Sequence, residues 1–259
     1  MSLEAFNTFD EFSESAASGR FAGQGISTSN FLLGPMAELV IFLNPLHPRK
    51  NPIQIRYDCE QGELFSRCLS STKSIYCSAA SMGILRLDPV EIEADLLATN
   101  SFILSLRQLL GQALMPSAAA QTLSGVAGEL IDNIAVHAGR PKLSFAAFNI
   151  RRGDAWITVA DAGHGVVGGY AMDRNLPQPE DAQEALQWAV IEHRSRFSDS
   201  KRGLGYRRAL SALRSLDASM RVRSDSAGLE TRGGVNLDDW LLREQVYLGG
   251  FVVSVHVSW

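Results

Sequence analysis

Long apolar runs are scarce in this chain of 259 residues. The run from Met36 to Leu43 spans only eight positions, far short of the ~20 that a membrane span needs, and it reads as a buried strand. No membrane partner is expected, and a soluble, cytoplasmic protein is. Cysteine is equally sparse. Cys59, Cys68 and Cys77 are odd in number, lack Cys-x-x-Cys spacing and have no histidine nearby, which excludes a disulfide framework and a zinc site and leaves reduced thiols. Charge of one sign is missing too: 24 basic against 28 acidic residues give a net charge of −4, so no global attraction to nucleic acid is expected. The N-terminus, Met1 to Gly25, has acids where a signal peptide has bases and lacks its apolar run. It reads as a flexible segment over 1–25. His47 sits in a loop punctuated by Pro45, Pro48 and Pro52, without the His-Glu or His-Asp dipeptide and following helix of a phosphoacceptor. It reads as a surface histidine.

Hydrophobic residues make up 46% and charged residues 20%, a balance that can bury one large domain or one domain with an extension. Over 26–100 a small β-rich or α/β module is expected. Ile53 to Tyr57 alternates like a strand, and Leu64 to Leu69 and Ser74 to Cys77 are further short strand candidates. From Asp88-Pro89 the pattern turns helical, and a second helix begins after Pro116. Leu123, Val126, Ala127, Leu130, Ile134 and Ala138 recur there at three- to four-residue spacing, an apolar stripe facing a core. Leu143 to Arg151 and Ala155 to Ala160 read as strands joined by the turn Arg152-Gly153-Asp154. A helix is expected over Glu180 to Arg194 and another over Tyr206 to Leu216. Strands are expected at Met220 to Ser224 and Phe251 to Val257, the last fed by a Gly249-Gly250 turn.

Three stretches carry the chemistry. In Glu129-Leu-Ile-Asp-Asn133-Ile-Ala-Val-His137, Glu129 and Asn133 are four apart and project from one helix face. A carboxylate accepts protons and an amide oxygen is a hard ligand, so the pair suits a water-activating base beside a magnesium ligand. In Asp161-Ala-Gly163-His-Gly165, an acid at a strand end can accept from the exocyclic amine of adenine, a donor, while Gly163 and Gly165 remove β-carbons that would block a base. In Arg202-Gly203-Leu204-Gly205, backbone N–H groups at a glycine-to-helix junction form an anion nest.

In this order the three stretches resemble the N box and the two glycine boxes of the GHKL ATPases, the superfamily of gyrase, the heat-shock ATPase chaperone, sensor histidine kinases and MutL. The resemblance covers roughly Leu110 to Trp259, drawn as a domain over 101–259. It implies an α+β fold of the Bergerat type, a two-layer α/β sandwich with a mixed sheet and helices on one face. It also implies ATP and magnesium: Glu129 as the acid that polarises the nucleophile, Asn133 as the magnesium ligand, Asp161 on adenine with Gly163 and Gly165 allowing close approach, and Gly203, Leu204 and Gly205 around the phosphates. His137 either touches a phosphate or closes the helix; Lys201 and Arg202 either add phosphate charge or form a solvated pair. Asp132 reads as a helix-surface or nucleotide-edge residue. Val166 to Lys201 corresponds to the family's ATP lid.

Departures from the family pattern are Lys201 where a glycine is common, Tyr206 for leucine and Ile134 for alanine. No dimerising phosphoacceptor hairpin is visible, and no transducer domain follows the last strand. The lid helix and the Ser195-Arg-Phe-Ser198 turn resemble stand-alone bacterial ATP-binding proteins related to anti-sigma-factor serine kinases. The expected function is Mg-ATP binding with phosphotransfer or slow ATP hydrolysis acting on a protein partner or phosphoacceptor in bacterial regulation. The alternative is a nucleotide-gated interaction module with little chemistry. A homodimer stays open.

Overall fold

The computed structural model describes residues 6–18, 25–27, 32–43, 54–56, 60–87, 92–137, 143–172, 175, 177–194, 204–231 and 240–259. In chain order the elements are α1 (Asn7–Ala17), β1 (Gly25–Ser27), α2 (Leu33–Phe42), β2 (Gln54–Arg56), α3 (Glu60–Leu69), β3 (Ile75–Ala79), β4 (Met82–Arg86), α4 (Ile92–Gln112), α5 (Ser117–His137), β5 (Ser144–Arg151), β6 (Asp154–Asp161), α6 (Gly165–Ala171), α7 (Ala182–Val190), α8 (Leu204–Arg214), β7 (Ser219–Thr231) and β8 (Trp240–Ser258). Six strands form one open sheet in the order β3-β4-β5-β6-β8-β7. Every pairing in it is antiparallel, so the α+β class holds and the expected mixed sheet is corrected. β1 and β2 pair separately and in parallel.

Successive side chains of a strand point to opposite faces, and here both faces are buried. Ala146, Phe148, Ile157, Val159, Val253 and Val255 share a core with α4, α5, α7 and α8. Their neighbours Phe145, Ala147, Trp156, Ala160 and Val252 share another with α1, α2 and α3. The α/β sandwich therefore carries a second helical layer, and helices lie on both faces rather than one. That is why β5 and β6 are buried at nearly every position rather than alternating apolar with polar.

The second layer includes residues of the module expected over 26–100. β4 pairs with β5 along its length, and α2 packs on β6 and β8, so these two elements join the sheet of 101–259. The N-terminal segment expected to be flexible holds α1, with Phe6 and Phe9 fully buried. Met36 to Leu43 is helix rather than strand. All ten residues of α2 are buried, and a helix hidden all round shows no apolar period to read. Pro35 falls in its first turn, where its missing N–H is not needed. Leu64 to Leu69 is helix as well: Leu64, Phe65 and Cys68 share the buried side of α3, with Glu60 and Glu63 in its first turn and Arg67 in its last, charges that suit the helix dipole. The expected Gly249-Gly250 turn lies inside β8, where Gly250 adopts φ +124°. The Ile53–Tyr57 strand is described only over 54–56, while Cys59 and His47 lie outside the described residues.

β7 places two arginines on the α1–α2 side, and both are buried. Arg221 Nε donates to Glu38 Oε1 at 2.8 Å and its Nη2 donates to Asp10 Oδ1 at 2.6 Å. Its Nη1 donates to Glu230. Arg223 Nη1 donates to Glu38 Oε2 at 3.3 Å and its Nη2 to the Val246 carbonyl at 2.7 Å. Burial pushes Glu38 up, and the two guanidiniums pull it back only in part. Removing one member of a buried pair strands the others. Glu38→Ala should therefore cost about 3–5 kcal/mol of folding stability, read as a fall in the urea midpoint with unchanged slope. A loss below about 1 kcal/mol would mean that the arginines find other acceptors.

Candidate functional site

Asp161 closes β6, a central strand, and is 5% exposed. Alternation places it on the face of Ile157 and Val159, the side covered by α5. It pairs across with Phe251 of β8, which in turn pairs with Ser224 of β7. The three form one row across three strands. Asp161 Oδ1 accepts the Gly163 N–H at 2.8 Å. Burial, offset only by that bond, pushes the carboxyl up to about 7. Gly250 makes the row possible. A β-carbon there would stand 2.0 Å from the Asp161 carbonyl oxygen, and its positive φ already favours glycine.

From Asp161 the chain turns through Ala162 to His164 and enters α6 at Gly165, φ +66°. The expectation for Gly165 is that it admits a base. In this structure its missing β-carbon admits the Asp225 carboxylate, whose two oxygens would each lie 2.7 Å from it. Ser224 and Asp225 are the residues that sequence reasoning misses. Ser224 Oγ accepts the Val166 N–H at 2.9 Å and donates to the Gly250 carbonyl at 2.8 Å. Asp225 Oδ2 accepts the Val167 N–H at 3.2 Å, and burial raises its pKa. Asp225 has φ +52° and sits where the β7–β8 register shifts. A signal exists in the sequence: Ser224-Asp-Ser226 breaks the apolar alternation of a strand, which marks a bulge.

On α5, Val126, Ala127, Leu130 and Ile134 point into the core. Glu129 and Asn133 sit at the margin of that buried stripe, and Asp132 is exposed, in keeping with a helix-surface position. The Asn133 Nδ2 is buried with no hydrogen-bond partner, and such orphaned donors are rare in folded proteins. Glu129 Oε1 is 3.7 Å from Arg208 Nη1 of α8, a residue that no sequence motif singles out. α8 packs along α5, so the two helices bring an acid, an amide and a cation to one side of the sheet. Lys201, Arg202 and Gly203 lie outside the described residues. For His137, Leu204 and Gly205 only the helical backbone is described.

The excursion between the glycine stretches is described over 166–172, 175 and 177–194. Asp181 caps α7 by accepting the Glu184 N–H at 2.8 Å. Tyr170 of α6 meets Trp188 of α7 edge to face at 5.7 Å, and Arg194 lies 4.4 Å over the Trp188 ring. The Tyr170 hydroxyl donates to the Arg194 carbonyl at 2.9 Å. α7 also packs on β7. The expected helix over Glu180 to Arg194 is thus the shorter α7, and residues 195–203 fall outside the described part.

No group of three or more His, Cys, Asp or Glu among the described residues could cage a metal. The donor set suits another arrangement: magnesium keeps several waters and binds through one or two protein oxygens plus phosphates. An amide oxygen such as that of Asn133 is a ligand of the right type for that part, while its buried, unpaired Nδ2 calls for an acceptor. Among the described residues no helix is long and apolar enough to cross a membrane.

The Asp161 carboxyl gives a test by pH. An ordinary aspartate titrates near ~4. Between about pH 4 and 7 the folded form keeps a proton that the unfolded chain has lost, so stability falls as pH rises through this window. Asp161→Asn removes the titration. Relative to that variant, the unfolding free energy of the wild type should drop between pH 4 and 8 by on the order of 4 kcal/mol, about three pH units at ~1.4 kcal/mol each. A constant difference across the range would show that the carboxylate is solvated. Comparison of the chain with protein-family models, with curated proteins and with solved structures returns no match in any of the three.

Proposed function

We propose that the chain binds Mg-ATP on the α5 side of the sheet, in a site of the GHKL type, and acts as a phosphotransferase or slow ATPase on a protein partner in bacterial regulation. The observation that carries this reading is Asp161, a carboxylate buried at the end of a central strand with no facing cation among the causes of its shift. Such a group favours a ligand that brings a hydrogen-bond donor, and the exocyclic amine of adenine is one. Guanine presents a carbonyl at the same position and, above about pH 7 where the carboxyl has lost its proton, would set acceptor against acceptor.

Asn133 supports the same reading from another position on the α5 side, since a buried amide N–H without a partner invites a ligand that brings an acceptor, and a phosphate oxygen is one. Glu129 would take a proton from the attacking nucleophile, and α8, which opens at Leu204 and Gly205, would lie beside the phosphates. Magnesium, when bound, would neutralise triphosphate charge that otherwise resists attack. The Glu129–Arg208 contact favours a second reading, an ATP-gated interaction module, because it engages the carboxylate that would otherwise face a nucleophile.

Thermal unfolding with and without Mg-ATP tests the binding reading. Ligand at 100 times its Kd adds about 2.7 kcal/mol to the folded state, so a rise of several degrees is expected. The rise should vanish in Asn133→Ala, shrink in Asp161→Asn and be weaker with Mg-GTP. Equal melting with and without millimolar Mg-ATP overturns the reading. Hydrolysis abolished in Glu129→Ala at unchanged ATP affinity would decide for the enzyme over the module.

A further inference from the structure

Arg208 lies near the start of α8, three residues beyond Gly205, with Ala209, Leu210 and Leu213 fixing that helix to the core. Its side chain is 70% exposed and that of Glu129 36%, and their polar atoms stand 3.7 Å apart. A pair so exposed and so long is held weakly, by a factor of about five in equilibrium at most. It is a contact that can be exchanged.

We propose that Arg208 is a γ-phosphate sensor: it holds Glu129 while no triphosphate is bound and moves to the γ-phosphoryl group when one arrives. This rests on the Mg-ATP reading above. The guanidinium is a planar fork of five donors that matches phosphate oxygens bidentately, and a terminal phosphoryl group offers it more negative charge than one carboxylate. The position suits the exchange, because Arg208 lies about one turn beyond Gly205 on the helix that packs along α5, 3.7 Å from Glu129. ADP lacks the competing group, so it leaves the pair intact.

The exchange would couple binding to chemistry. While paired, the Glu129 carboxylate is engaged by Arg208 and not by a nucleophile. Once released, the carboxylate takes a proton from the attacking water. The water oxygen then bonds to the γ-phosphorus, and the bond from that phosphorus to the β,γ-bridging oxygen breaks, its electron pair leaving on ADP. The products are ADP and inorganic phosphate. With a protein hydroxyl as nucleophile the same proton goes to the same carboxylate, and the product is a phosphoprotein. The acid is then freed only when a transferable phosphoryl group is present.

The test uses the full chain with magnesium and compares Arg208→Ala, Arg208→Lys and Glu129→Gln by calorimetric titration with ATP and with ADP. Wild type should prefer ATP. Arg208→Ala should cut that preference by about tenfold or more, the loss expected for a charge-assisted contact, with ADP affinity unchanged, and Arg208→Lys should restore part of it. Glu129→Gln should tighten ATP binding roughly two- to fivefold, the strength of an exposed pair, and should do nothing in the Arg208→Ala background. An ATP preference intact in Arg208→Ala, with Glu129→Gln acting alike in both backgrounds, overturns the sensor and leaves the binding reading standing. Absence of binding by wild type for either nucleotide overturns both. Circular dichroism and melting confirm folding, and should Arg208→Ala misfold, the Lys and Gln variants separate the same two outcomes.

Discussion

Two guanidiniums on the inner face of β7 have to be neutralised without water, and the second helical layer follows from how this is done. Arg221 and Arg223 reach Glu38 on α2 and Asp10 on α1, while Glu230 closes the set from β7 itself. Such clusters contribute little net stability over an apolar core, but a missing member is costly. They act as a register. α2 can meet the sheet at only one height and rotation, because only one puts Glu38 between the two arginines. The ring of Phe6 lies 4.5 Å beneath the Arg221 guanidinium, so the start of α1 is positioned by the same charge.

On the opposite side of the sheet the polar groups are treated differently. Asp161 is buried against a single N–H, and Asn133 keeps an unpaired amide nitrogen. Buried polar atoms without a partner occur on both faces, Asn133 Nδ2 on the α5 side and Arg223 Nε on the other; what sets the α5 side apart is Asp161, an acid buried with no cation among the causes of its shift. Local rules broken without compensation tend to fall at working sites, which is why the proposed function is placed on the α5 face. Ser224 and Asp225 share that region but are consumed by the N-terminal turn of α6.

The half of the chain with clear periods is legible from the residues. α5 and the β5–β6 hairpin follow from three- to four-residue and two-residue spacings, and Asp161 falls at a strand end as its glycine neighbours suggest. The failures share one cause. α2 and α3 read as strands because an element buried all round, or one seen through a short window, shows hydrophobicity without a period. The pairing of β4 with β5 is hidden for a related reason. β3 and β4 are short, and nothing local in Met82 to Arg86 announces that its partner, Phe145 to Asn149, lies beyond two long helices. Arg208 carries no signal, since a basic residue on a helix is ordinarily solvated. The Asp225 bulge is readable only as polar residues out of place.

The charge cluster also sets an order of events during synthesis. Asp10 and Arg221 are separated by 211 positions along the chain, and α2 rests on β8, the last strand made. At roughly 5–20 residues per second, α1 and α2 would leave the ribosome some ten to forty seconds before the surface that receives them exists. α2 is apolar on every side except Glu38. Until β5 and β6 are made its shelter has to come from elsewhere, and afterwards their hairpin can supply provisional contacts; its ten residues and the acid among them both keep it from passing for a membrane segment.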